Sequence, residues 1–221
     1  MRCVADFFRT DTRKLVVLLA VAAGAADAIL IVRFDVLTAA QTGNTILLAV
    51  ALATGNWPTG AAAGLSVAGF LAGAILGAWL LRRVGVPVSR VLVLEILLLA
   101  GVTAGWSLAG TLHPAVELPI VAATAAAMGL QSLVMLHSRS LSTTYVTGVL
   151  AAFARDTVSP PGPDAPQGRD ARLEAAVWLV YFAGAVMGAL LLSRFGAPAL
   201  MLSITCLAAA SIIASRSRPE I

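Results

Sequence analysis

The feature that most constrains this chain is the spacing of its charges. Charge-poor apolar runs fall at residues 15–32, 61–81, 91–110, 118–136, 174–193 and 197–214. A helix rises about 1.5 Å per residue, so each run is long enough to cross a hydrocarbon core of about 30 Å. The composition agrees. Hydrophobic residues make up 59% of the chain and charged residues 12%, against roughly 25% charged in a soluble domain. That is too little charge to coat a globule in water, and so apolar a chain is not a disordered one. The chain therefore reads as one all-α integral membrane domain, residues 1–221, in a lipid bilayer.

The cations give the orientation. With the N-terminus inside and six crossings, thirteen Lys and Arg residues fall on the cytoplasmic side, and only Arg33 and Arg194 fall outside. That is a strong positive-inside bias. It predicts a multi-pass membrane protein with both termini cytoplasmic. The net charge of +4 follows from these loop arginines. They are not clustered with aromatics on one face, so nucleic acid is not an expected partner. Arg13 and Lys14 before an apolar run resemble a signal peptide. The segment is nonetheless expected to remain as a structural part, because an internal repeat includes it. Cys3 and Cys206 stand in no metal or redox spacing.

Two shorter apolar segments remain, near 43–54 and 147–154. Each reaches only about half of the hydrocarbon thickness. Making them full spans would give eight crossings and would put Arg82, Arg83 and Arg90 outside. Six spans with two half-penetrating short helices is the better fit. Residues 156–172 hold four prolines and two glycines and read as a cytoplasmic connecting loop.

Residues 72–87, AGAILGAWLLRRVGVP, match 183–198, AGAVMGALLLSRFGAP, at a constant offset of 111. Upstream, an offset of 105 pairs Gly24 with Gly129, Thr38 with Thr143, Thr42 with Thr147 and Gly43 with Gly148. The chain reads as two copies of one unit, about 15–110 and 118–214. Each crosses the membrane three times, so the second copy enters in the opposite orientation. The expected fold is six transmembrane helices in an inverted 3+3 repeat, with the two short helices approaching the midplane from opposite faces.

The candidate site follows from that symmetry. Thr38, Thr42, Gly43 and Asn44 precede the first short helix; Thr143, Tyr145, Thr147 and Gly148 precede the second. An extended stretch that dips inward, turns at the glycine and returns as a helix would leave free N–H groups near the midplane. Non-helical backbone at that depth is tolerated only inside protein or beside a water-filled cavity. The competing reading is that both stretches are polar kinks gluing helices together. Asp27 lies deep within the first span, and an intramembrane carboxylate is a functional hypothesis by default. Proton coupling, cation coordination and a structural hydrogen bond are all open to it. Gln131 and Ser132 match Ala26 and Asp27 in the repeat and are placed beside the site.

Other polar residues have plainer readings. Glu95, near the cytoplasmic end of the third span, is expected to snorkel towards Arg90 or Arg139. Arg33 and Asp35 are expected to pair locally. Gly69, Gly73 and Gly77, and Gly184 and Gly188, form small-residue stripes for close helix packing. Homo-oligomer assembly is left open by the sequence. His113 and His137 lie in opposite loops, so no metal site is expected, and no cofactor. There is no Walker loop, H-E-x-x-H or G-x-S-x-G motif, so an enzyme is not expected.

The motifs AGAADAI, TAAQTGNTILLAVALA and AMGLQSLVMLHSRSLSTTYVTGVL resemble those of the bacterial YoaK family, six-span membrane proteins carrying a domain of unknown function. The resemblance runs from about residue 15 to 214. It rests on Gly24, Asp27, Ala28, Thr38, Thr42, Gly43 and Asn44, then on Met128, Gly129, Gln131 and Thr143 to Gly148. Ser132 departs from it, standing where the family pattern has Asn. The resemblance implies the inner membrane and six spans, and it supplies no reaction or substrate. The residues themselves point to a transporter or channel for a small polar solute. The alternative is a non-transporting scaffold or sensor acting through partner helices.

Overall fold

The computed structural model describes residues 2–110, 114–137, 146–158 and 171–216. Eight α-helices follow one another among them: α1 (Arg2–Phe34), α2 (Gln41–Thr54), α3 (Trp57–Trp79), α4 (Val88–Ala109), α5 (Pro114–His137), α6 (Val146–Val158), α7 (Ala171–Phe195) and α8 (Met201–Arg216). A π-helical turn, Leu80–Val84, extends α3, and a 3₁₀ turn, Ala197–Leu200, leads into α8. No strand occurs among the described residues.

Six helical stretches are long and apolar enough to cross a membrane: Asp11–Phe34, Trp57–Val84, Val88–Ala109, Ala115–Leu136, Ala175–Phe195 and Ala197–Arg216. These are the six runs expected from the sequence, each shifted by a few residues at its ends. The two short segments are helices of 14 and 13 residues. The expected loop 156–172 is shorter than its composition suggested, because α6 continues to Val158 and α7 starts at Ala171.

Burial sorts the spans. Two thirds (67%) of the most apolar window of α1 and of α5 is buried inside the protein, against 22% for α3 and 17% for α7. The first pair forms the centre and the second faces outward. Leu71, Ile75, Leu179, Phe182 and Leu190 on α3 and α7 are exposed. In water so many exposed large side chains would be a liability; in lipid they are the expected surface.

Lipid tails are as apolar as leucine, so helices associate in a bilayer through close packing and hydrogen bonds rather than through hydrophobic exclusion. Both devices are present. A Cβ added at Gly24 would overlap the Tyr181 carbonyl on α7, and one at Gly184 or Gly188 would overlap the backbone of Val21 or Ala25 on α1. On the other side, Gly129 of α5 lies against Phe70 and Ala74 of α3, and Gly69 and Gly73 of α3 lie against Ala122 and Ala126 of α5. These glycines are required by backbone-to-backbone approach. Hydrogen bonds tie the remaining seams: Ser203 Oγ donates to Ala22 O (2.9 Å), Ser211 Oγ to Ser89 O (3.0 Å) and Gln131 Nε2 to Leu19 O (2.9 Å). Each is worth on the order of 0.6 kcal/mol in a membrane bundle.

Candidate functional site

The site begins where α1 ends. Asp35 takes a left-handed conformation (φ 57°), which Asp tolerates better than most residues. This reverses the chain after Phe34. Residues 35–40 are non-helical, and they fold back along α1 to the level of Asp27. That carboxyl lies seven residues before the helix end, or about 10 Å along its axis. The first short helix, α2, then starts at Gln41.

Asp27 is almost wholly buried (2% exposed) and Thr38 wholly so. Asp27 Oδ1 accepts from the backbone N–H of Thr38 (2.6 Å), from Thr38 Oγ1 (3.0 Å) and from the backbone N–H of Ala39 (2.7 Å). Its Oδ2 accepts from the Tyr181 hydroxyl on α7 (2.6 Å). The carboxyl thus joins α1, the re-entrant turn and α7.

A second cluster holds the other side of the turn. The Asn44 amide pairs with the Leu37 peptide at both ends: Oδ1 accepts from Leu37 N (2.9 Å) and Nδ2 donates to Leu37 O (2.6 Å). Ser66 Oγ of α3 donates to the same carbonyl (2.6 Å) and accepts from Asn44 Nδ2 (2.8 Å). Gln41 Nε2 donates to Thr38 O (2.7 Å), and Gln41 Oε1 accepts from Asn44 Nδ2 (3.0 Å). Backbone polar groups of Leu37, Thr38 and Ala39 are thereby met by side chains. This is the physical condition for irregular backbone inside a membrane, where an unmet group costs several kcal/mol.

The expected residues divide accordingly. Asp27, Thr38 and Asn44 come together around the turn. Thr42 is exposed on α2. Gly43 does not make the turn as expected. It lies in the first turn of α2, because the reversal is completed by Thr38–Ala40, and a Cβ there would press on the Leu37 side chain (2.6 Å). Nor are the N–H groups of the turn free, since Asp27 takes those of Thr38 and Ala39. Gln131 is not beside Asp27: its amide reaches Leu19 O, eight residues earlier on α1. Ser132 donates to Met128 O of its own helix (3.0 Å). Of the second motif, Thr143 and Tyr145 lie outside the described residues, as does the Thr147 side chain. Gly148 is half-buried in the first turn of α6. The two short helices rest on different supports, α2 on α3 and α6 on α7.

Two further expectations are corrected. Arg33 pairs with Glu117 of α5 (3.5 Å) rather than with Asp35, because the left-handed turn at Asp35 redirects the chain. Glu95 does not snorkel. It is fully buried, and neither carboxyl oxygen has a hydrogen-bond partner among the described residues; Arg90 is exposed, and Arg139 lies outside the described residues. The apolar side of α4 that carries Val91, Leu92 and Leu99 turns Glu95 inward with them.

Sequence reasoning missed Ser66 and Tyr181. The signal was available for both: each is a hydroxyl within a span, in an otherwise apolar stretch.

The family model described as "Protein of unknown function (DUF1275)" matches residues 15–213. The chain belongs to this family, with which the YoaK resemblance of its motifs is consistent. No curated protein and no solved structure matches it.

Proposed function

We propose that this member of the DUF1275 family is a transporter or channel of the bacterial inner membrane for a small polar solute, with a path that runs beside the re-entrant turn. One observation carries the reading: residues 35–40 leave the helical path inside the bundle and return to the depth of Asp27. A continuous helix would satisfy those peptide groups at no cost in side chains. Here Asp27, Gln41, Asn44, Ser66 and Tyr181 are all committed to holding an interruption. Packing alone gives no reason to keep it, because glycine contacts already bring the long helices together. Discontinuous helices near the midplane are where secondary transporters place their sites.

The reading includes the inverted repeat, with both termini cytoplasmic. The glycine contacts support it. Gly24 against Tyr181 and Ala185 corresponds, at the offsets found in the sequence, to Gly129 against Phe70 and Ala74. Gly184 against Val21 corresponds in the same way to Gly73 against Ala126. The packing of α1 on α7 is thus answered by α5 on α3, and that of α1 on α8 by α5 on α4.

The alternative reading, a non-transporting scaffold or sensor, draws on a different observation: the polar atoms of the turn bond to one another. A scan of single cysteines from Thr38 to Thr45, in a chain with Cys3 and Cys206 replaced, separates the two. A membrane-impermeant thiol reagent is expected to modify position 42, which is exposed. If no position from 38 to 45 reacts under any condition, the transport reading fails.

A further inference from the structure

We propose that Glu95 is a proton-binding site inside the membrane, loaded in the arrangement described above and emptied when α4 separates from α5 and α8. Glu95 lies seven residues into α4, about 10 Å from the start of that helix. It is fully buried, and neither oxygen has a hydrogen-bond partner among the described residues. Val91, Leu92 and Leu99, one turn away on either side, belong to an apolar cluster that includes Leu19 of α1, Met128 of α5 and Leu207 of α8.

Among the described residues, no charged or titratable group bonds to it; Arg139 lies outside them. On α5, Glu117 sits in the first turn and pairs with Arg33, and His137 is the last residue. On α8, Arg216 is the last residue, and Cys206 is half-buried. In the π-helical turn Arg82 and Arg83 are exposed, as is Arg90 of α4 itself. The 3₁₀ turn carries none.

The chemistry of that surrounding selects the ligand. A metal ion needs several oxygen, nitrogen or sulfur donors, and no group of three His, Cys, Asp or Glu gathers among the described residues. A proton needs one oxygen. An ionised carboxylate without a partner is expensive in such a place, whereas the neutral acid is tolerated. A leucine would be better still for packing, so an acid at this depth points to use. The duplication strengthens the point: the residue matching Glu95 at the offset of 111 is Cys206, so one copy alone carries the acid. The seams that cover Glu95, α4 on α5 and α4 on α8, join the first half of the chain to the second. Loss of the proton is therefore coupled to opening between the halves. That this opening moves a solute rests on the transport reading; the proton site does not.

The test uses the full chain in lipid nanodiscs. Infrared spectroscopy at neutral pH is expected to show the carbonyl band of a non-ionised carboxylic acid, and Glu95→Gln is expected to remove it. On the wild-type protein, dicyclohexylcarbodiimide, a lipophilic reagent for protonated carboxyls, is expected to label Glu95 as read by peptide mass, so the result does not depend on the variant folding. A spectrum unchanged by Glu95→Gln, or wild-type protein left unlabelled at Glu95, overturns the site. The protection of amides in α4 and α8, corrected for the base catalysis of exchange itself, should fall as pH rises in the wild type and stay flat in Glu95→Gln. Protection in the wild type that ignores pH overturns the coupling. Failure of the cysteine scan alongside success here would remove the transport reading and leave the proton site standing.

Discussion

Asp27 and Glu95 are both acids buried inside the spans, yet the fold treats them in opposite ways. Asp27 accepts four hydrogen bonds from two other elements, the re-entrant turn and α7, whereas Glu95 has none among the described residues. Depth and burial are nearly the same for the two, so neither decides the role of an intramembrane carboxyl. What decides it is whether the surrounding backbone needs an acceptor. Around Asp27 a broken helix offers peptide N–H groups with no other partner. Around Glu95 the helix is continuous and its N–H groups are already paired.

The comparison can be broken most directly at Asp27. Asp27→Ala removes the only acceptor described for the N–H groups of Thr38 and Ala39, and should destabilise the protein by about 3–5 kcal/mol. Thermal unfolding in detergent, followed by size-exclusion chromatography, measures it; a variant that melts like the wild type would show that the turn is not held there. Asn44→Leu leaves Leu37 N without its acceptor and Leu37 O with Ser66 as its one described donor, and should cost about 2–4 kcal/mol in the same assay. Glu95→Met has the opposite expected sign, from no change to a gain of about 1–2 kcal/mol, because no partner is lost and a buried acid is replaced by apolar volume. A large loss there would mean that Glu95 is structural after all. Tyr181→Phe keeps the ring and removes one of the four donors, so a loss of about 1 kcal/mol is expected. Arg33→Gln serves as the control. Its ion pair with Glu117 is partly exposed, and its loss should change stability by less than about 1 kcal/mol.

Much of this architecture was legible before any coordinates. The six spans and two short helices are written in run lengths free of charge, a local property. The grouping of Asp27, Thr38 and Asn44 followed from the repeat and from the chemistry of buried polar residues. Their orientation did not. The reversal was assigned to Gly43, the usual residue for such a turn, whereas Asp35 takes the positive φ and Thr38–Ala40 complete the turn. Ser66 and Tyr181 enter the cluster from 29 and 154 residues beyond their partners, and no local pattern reports such contacts. Glu95 was misread because snorkelling depends on which side of α4 faces outward, and a helix apolar on nearly every side gives little sign of it. The salt bridge of Arg33 was misplaced because neighbours in sequence are poor guides beside a left-handed residue.

The bond from Tyr181 to Asp27 has a consequence for biosynthesis. A nascent chain threads into the bilayer from its N-terminus, so the acid on α1 arrives long before the phenol on α7, which follows 154 residues later. Until the last helices leave the ribosome, the first one lacks both its glycine contacts with α7 and one of the donors to its carboxyl. The hairpin of α1 and α2 must therefore wait on its own hydrogen bonds and those from Ser66 of α3, and the bundle locks only when synthesis is almost finished.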